Sequence, residues 1–189
     1  LTFLGKFGDE APERQVENPV WHIHNGAPPA ESAPLSFAML LNLASVCNTE
    51  DKAVLWGFVS RYVEGATPEN SPLLDQLVGY AIRYYADFVK PAKRYRAPTD
   101  VERKAIGALA DALEAMPADA TAEDLQNQVY EIGKQFGFEK LRDWFRALYE
   151  VLLGQEQGPR MGSFIALYGV PETVALIRRA LDGEDLSAA

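Results

Sequence analysis

At 189 residues and 20.9 kDa, with 48% apolar and 24% charged residues, the chain has a globular composition and room for one substantial core or two small ones. A single cysteine, Cys47, excludes a disulfide framework or a cysteine-rich zinc site, and with only His22 and His24 beside it no four-ligand metal cluster is expected. The net charge of −9 opposes a nucleic-acid partner, since phosphates call for lysine and arginine. Its distribution matters more than its total. Residues 1–98 carry 9 basic against 11 acidic side chains and residues 99–189 carry 9 against 16, yet the stretch 83–104 reverses the balance with 7 basic and 3 acidic.

In chain order, Leu1, Phe3, Leu4 and Phe7 read as the last turns of an amphipathic helix that Gly8 ends, the pattern of a piece cut from a longer chain. Residues 9–34, with Pro12, Pro19, Pro28, Pro29 and Pro34, read as a loop. His22 and His24 would share one side of an extended segment there, but without nearby Cys, Asp or Glu they read as surface or capping residues. The run 35–47 is apolar on nearly every face, as a buried helix is, and too short to cross a bilayer, which takes about 20 residues. With no leader pattern ahead of it, the expected setting is a reducing cytoplasm.

Asn48-Thr49 should cap a helix through Leu55, Phe58, Val59 and Tyr62 that stops near Gly65. Ser71-Pro72 opens a longer one running to Pro91. Thr99 and Glu102 form a capping-box pattern ahead of Ile106, Leu109 and Leu113. Leu125, Val129, Ile132 and Phe136 predict a helix over 122–136, and Leu141, Trp144, Phe145, Leu148, Val151 and Leu152 the cleanest stripe. After a turn-rich break at 154–162, helices at 163–168 and 171–181 finish the chain, with Pro171 suited to a first helical position. Nothing alternates with period two. The expected fold is all-α, in two consecutive helical-bundle subdomains, 1–98 and 99–189, divided at the polar segment 93–98, although a single continuous superhelix would leave the same pattern.

No glycine-rich phosphate loop, Ser/His/Asp order or Cys/His pair stands out, and the carboxylates fall mostly at helix starts and in tails. Aromatic rings interleave with cations at Tyr80, Arg83, Tyr84, Tyr85, Lys90, Lys93, Arg94, Tyr95 and Arg96, a combination that stacks on bases and neutralises phosphates. The competing account packs Tyr84 and Tyr85 in the core and leaves the cations in water. Arg142 and Arg146 lie one turn apart beside Trp144, and Arg160 sits in the glycine-rich break, where it would reach a partner or bond helix carbonyls.

Several separated segments then resemble one family, in order along nearly the whole chain. Asn18-Pro-Val-Trp-His-Ile-His24, Phe37-Ala-Met-Leu-Leu-Asn-Leu-Ala-Ser-Val46, Tyr84-Tyr-Ala-Asp-Phe-Val-Lys-Pro-Ala-Lys93, Leu148-Tyr-Glu-Val-Leu-Leu-Gly154 and Gly158-Pro-Arg-Met-Gly-Ser-Phe-Ile-Ala-Leu-Tyr-Gly169 look like the C-terminal part of class I lysyl-tRNA synthetases. The last is also similar to the end of the anticodon-binding region of glutamyl-tRNA synthetases. The His-Ile-Gly-His and Lys-Met-Ser-Lys-Ser signatures of that family's N-terminal Rossmann domain are missing.

The resemblance implies an anticodon-binding piece of a lysine–tRNA ligase with lysine tRNA and the Rossmann domain as partners. It implies no catalysis and no cofactor of its own, ATP serving the absent domain. On the chemistry of the residues, Arg142, Trp144, Arg146 and Arg160 are expected near the anticodon, and Arg83, Lys90, Lys93, Arg94 and Arg96 on the backbone nearer the stem. The alternative is a helical protein-interaction module without RNA binding.

Overall fold

The computed structural model describes residues 10–23 and 33–186. The helix end expected at residues 1–8, and His24, lie outside these. Every regular element among the described residues is helical. Within the expected loop, two single turns form instead, α1 (Pro12–Gln15) and α2 (Pro19–Ile23). A proline leads each, its fixed φ already helical and its missing N–H no loss at that position. His22 Nε2 lies 2.9 Å from the Val16 carbonyl oxygen.

The main body begins with α3 (Phe37–Cys47), whose first turn is capped by the Ser36 hydroxyl accepting from the Met39 N–H. Asn48 ends it in the left-handed region at φ 47°. The cap of α4 (Lys52–Tyr62) is therefore not Asn48-Thr49 but Asp51, whose carboxylate accepts from the Ala53 N–H at 2.8 Å. α5 (Pro72–Tyr84) runs into a π-helical turn, Tyr85–Val89, and a 3-10 turn, Lys90–Ala92. The connector 93–98 leads to α6 (Asp100–Glu114), where the Thr99–Glu102 capping box forms as the sequence predicts.

α7 (Ala122–Gln135) opens on a second capping box, Thr121 with Asp124. α8 (Leu141–Leu148) passes into another π-helical turn, Tyr149–Leu153. α9 (Met161–Tyr168) starts two residues before the expected helix, and α10 (Val170–Asp182) carries Pro171 in its first turn.

α9 packs most closely on α7, α10 on α6, and α3 on α5. Gly162 makes the first pairing possible: a Cβ there would sit 2.1 Å from the Ala122 carbonyl oxygen. α9 also touches α3 and α4, and the second π turn touches α3. Buried apolar residues from Leu35 to Leu186 accordingly form one connected core across the segment 93–98. That segment is a strap lying against this core through Tyr95. No helix among the described residues is long and apolar enough to cross a membrane.

Candidate nucleic-acid interface

The two π-helical turns face the same cleft. Its volume is about 750 Å³, and its lining includes Tyr84, Phe88 and Val89 at the first turn, Glu150 and Gly154 at the second, Arg94, Tyr95 and Arg96 of the strap, and Arg146, Gln155 and Glu156. Such turns are uncommon and concentrate at functional sites, because one extra residue per turn swings side chains off the helix's regular stripe. Phe88 demonstrates the effect. It follows Ala81 and Tyr85 at core spacing, yet it is 62% exposed while those two are fully buried. The strap is held by the Arg94 N–H donating to the Gly154 carbonyl at 2.8 Å. Gly154 has φ 67° and would place a Cβ 3.1 Å from the Tyr95 ring, so the close approach requires glycine.

Ion pairs set the electrostatics of this cleft. Arg96 grips both Glu102 oxygens, at 2.7 and 2.8 Å, and reaches Glu150 with Nε at 2.5 Å. The guanidinium's hydrogen bonds hold the Glu102 carboxyl at a pKa of about 2. Glu150 is shared, accepting also from Arg146 Nε at 2.6 Å, and Arg96 first and Arg146 second lower its pKa. Arg146 is more than half exposed and lies 3.9 Å from Glu156. The lining thus holds three arginines against two glutamates, with Arg96 committed to structure.

Lys93 contradicts its expected role. It is 9% exposed, and its ammonium donates to the Ser45 carbonyl, Asn48 Oδ1 and the Tyr95 hydroxyl at 2.5, 2.6 and 2.8 Å. All three protons are used, so none remains for a phosphate. The Ser45 carbonyl belongs to the last turn of α3, where the helix dipole favours a cation. Burial lowers the Lys93 pKa from 10.5 to about 8. Asn48 ties the cluster further, accepting from the Tyr85 hydroxyl and donating to the Leu186 carbonyl.

Trp144 is likewise no stacking face. Its ring is fully buried, its indole N–H donates to the Val129 carbonyl at 2.9 Å, and Phe138 packs against it at 5.2 Å. Gly133 leaves the space, since a Cβ there would come within 2.5 Å of the indole. Arg142 and Arg146 do converge, lining a smaller recess of about 220 Å³ with Tyr149 and Gly158 that shares Arg146 and Glu156 with the main cleft. Arg160 lies elsewhere, on a groove of about 240 Å³ with Met39, Asn42 and Phe164. Arg142 and Arg160 are exposed, and no described carboxylate pairs with either. Of the other expected cations, Lys90 pairs with Glu50 at 2.6 Å on the surface, and Arg83 lies over the Tyr80 ring at 5.4 Å. Arg94 donates from one nitrogen to the Pro91 and Lys93 carbonyls and has no carboxylate partner among the described residues.

No family model matches the chain. It is 53% identical over 184 residues to a lysine–tRNA ligase of Roseobacter denitrificans, covering 97% of this chain and 35% of that protein. A lysine–tRNA ligase of Rickettsia bellii is 48% identical over 183 residues, 96% of this chain and 35% of the relative. Another, from Rickettsia akari, is 46% identical over 179 residues, 94% and 34%. The chain is homologous to part of the lysine–tRNA ligases.

It spans about a third of the length of the ligases it matches. Arg146, expected on the anticodon side, and Arg94, expected on the stem side, line one cleft. Phe88 and Gln155, which also line it, were not among the expected site residues. Phe88 reads from spacing as core, and only the π turn exposes it. Gln155 lies in the turn-rich break, and its amide donates to the Ser45 hydroxyl at 2.6 Å. No residue pattern pairs positions 110 apart.

Proposed function

We propose that this chain is the anticodon-reading, C-terminal part of a class I lysine–tRNA ligase whose full-length form uses ATP to attach lysine to lysine tRNA in the cytoplasm. The observation that carries the reading is the homology to lysine–tRNA ligases along 94–97% of the chain. The cleft between the π turns supports it with the required chemistry: exposed rings beside arginines, two of which, Arg94 and Arg146, face solvent. On this reading the chain catalyses nothing alone, and ATP belongs to an N-terminal Rossmann domain. The chain's part is selection, since binding energy spent far from the reacting atoms still chooses the substrate.

The test is equilibrium binding of labelled lysine tRNA and of unrelated tRNAs across a salt series. Preference for lysine tRNA, with affinity falling as salt rises, is expected, because few cations are free and the acidic body repels the polyanion. Equal affinity for all tRNAs at every salt concentration would refute anticodon reading. No affinity at all would favour the helical protein-interaction module.

A further inference from the structure

We propose that Tyr80, Tyr84 and Phe88 form a stacking ladder for consecutive unstacked bases of a single-stranded RNA loop, with Arg83 at one end and Arg94 at the other. The proposal rests on the tRNA reading above and specifies which surface meets the loop. Tyr80 and Tyr84 lie one turn apart on α5, about 6 Å along the axis, and the π turn brings Phe88 beside Tyr84. Tyr80, Tyr84 and Phe88 are 52%, 45% and 62% exposed, so α5 and the turn after it turn three successive rings to solvent. Tyr84 and Phe88 contact each other, tilted by 42° with centroids 4.9 Å apart, so each braces the other and it is their outer faces that meet solvent. Phe37 meets Tyr84 edge-on at 6.2 Å and 87°, which props the ladder's middle rung from the core side. Tyr84 and Phe88 also line the cleft, so the ladder is continuous with it.

Charge selects the occupant. Protein interfaces are also rich in aromatic residues and arginine, so it is the local excess of cations, which a polyanion requires, that favours an RNA loop. Here a guanidinium covers one face of Tyr80, and Arg94 stands in the cleft at the other end. Bases stack on arginine planes as readily as on rings, so Arg83 extends the platform while meeting a phosphate. The local sequence is basic, 7 cations against 3 acids over 83–104. Of these cations Lys93, Arg96 and Arg103 are engaged within the fold and Lys90 is paired on its surface, leaving Lys104 and the two ladder ends available. Asp87 is exposed on the same turn and is the one acid beside the rungs on this element.

The experiment measures binding of the chain to an anticodon stem-loop RNA carrying fluorescent 2-aminopurine in its loop. The variants are Phe88→Leu, Tyr80→Leu and Tyr80→Phe, with Val54→Ala on the exposed face of α4 as control. Phe88→Leu and Tyr80→Leu should each lower affinity about tenfold to a hundredfold and reduce quenching, the effect of losing one stacked base. Tyr80→Phe keeps the ring and should bind as wild type, and all four should melt with it because none of these side chains is in the core. Tyr84 is left alone because of its contact with Phe37. Unchanged affinity in both leucine variants, while wild type still prefers lysine tRNA, overturns the ladder and leaves the tRNA reading standing. Ring-dependent binding without preference for lysine tRNA keeps the ladder and overturns that reading. Leucine variants that keep RNA but lose a protein partner assign the rings to protein docking and overturn the ladder.

Discussion

Replacing Lys93 by methionine separates a structural lysine from a phosphate contact. The substitution keeps the stem's volume and removes three hydrogen bonds from a charged donor, each worth about 1.5–3 kcal/mol. Two effects offset the loss. The ammonium's burial, which lowers its pKa from 10.5 to about 8, no longer costs its roughly 3 kcal/mol. Each acceptor also keeps a neighbour: the Asn48 N–H for Ser45, the Tyr85 hydroxyl for Asn48 Oδ1, and Asn48 Nδ2 at 3.5 Å for Tyr95.

The net loss should be about 2–4 kcal/mol, near that of breaking other buried charged interactions. For a domain of this size it corresponds to a fall in Tm of roughly 5–15 °C. Thermal melts by circular dichroism measure it, with tRNA titrations across salt run well below the variant's melting point. Those titrations should give wild-type affinity and slope. A Lys93→Met protein that melts within about 2 °C of wild type, with a salt slope shallower by about 0.7–0.9, would show that Lys93 meets a phosphate and refute the reasoning.

Trp144→Phe should cost about 1–2 kcal/mol through the lost bond to Val129, and Trp144→Ala about 3–5 kcal/mol through the cavity; denaturant titration reads both, and unchanged stability in the alanine variant would contradict the burial. In the alkaline range two opposed titrations should give a stability maximum near pH 9. Lys93, depressed to about 8, leaves the unfolded chain with the extra proton between pH 8 and 10.5, so stability rises with pH there. Burial raises Cys47 from 9.0 and Tyr85 and Tyr168 from 10.0, each to about 12, so from pH 9 upward the native state holds the extra protons and stability falls. Lys93→Met should lose the rise and keep the fall, which chemical denaturation at stepped pH would detect. Glu156→Gln removes an exposed acid 3.9 Å from Arg146 and should raise tRNA affinity about twofold to fivefold at low salt and hardly at all at high salt; a decrease would mean that the carboxylate itself contacts the RNA.

The homology bears out the likeness to lysine–tRNA ligases drawn from five separated segments, and it needed no structure, because order and spacing along a chain are properties of sequence. The helices were legible for a local reason. Period and caps act within four residues, and the Thr99–Glu102 box closes as its pattern requires. Some local readings failed where two caps competed. Asn48 ends α3 and so could not begin α4, and the prolines before Glu13 and Val20 start helices rather than only breaking the chain.

The fate of the cations was decided by distant partners. The Lys93 ammonium meets a carbonyl 48 residues away and Arg96 a carboxylate 54 residues away, so charge counts over 83–104 overstate what can meet a phosphate. Trp144 sits on a stripe that any helical wheel would bury, and only the packing of α7, with Gly133 beneath the ring, gives its indole a carbonyl and removes it from solvent. The π turns are the reverse case. The first shifts the helical phase after Tyr85 and exposes Phe88, where sequence spacing alone would bury it. Sequence determined which segments are helical and what they descend from. Tertiary structure decided which rings and charges remain available, because pairing and burial depend on what each side chain faces across the fold.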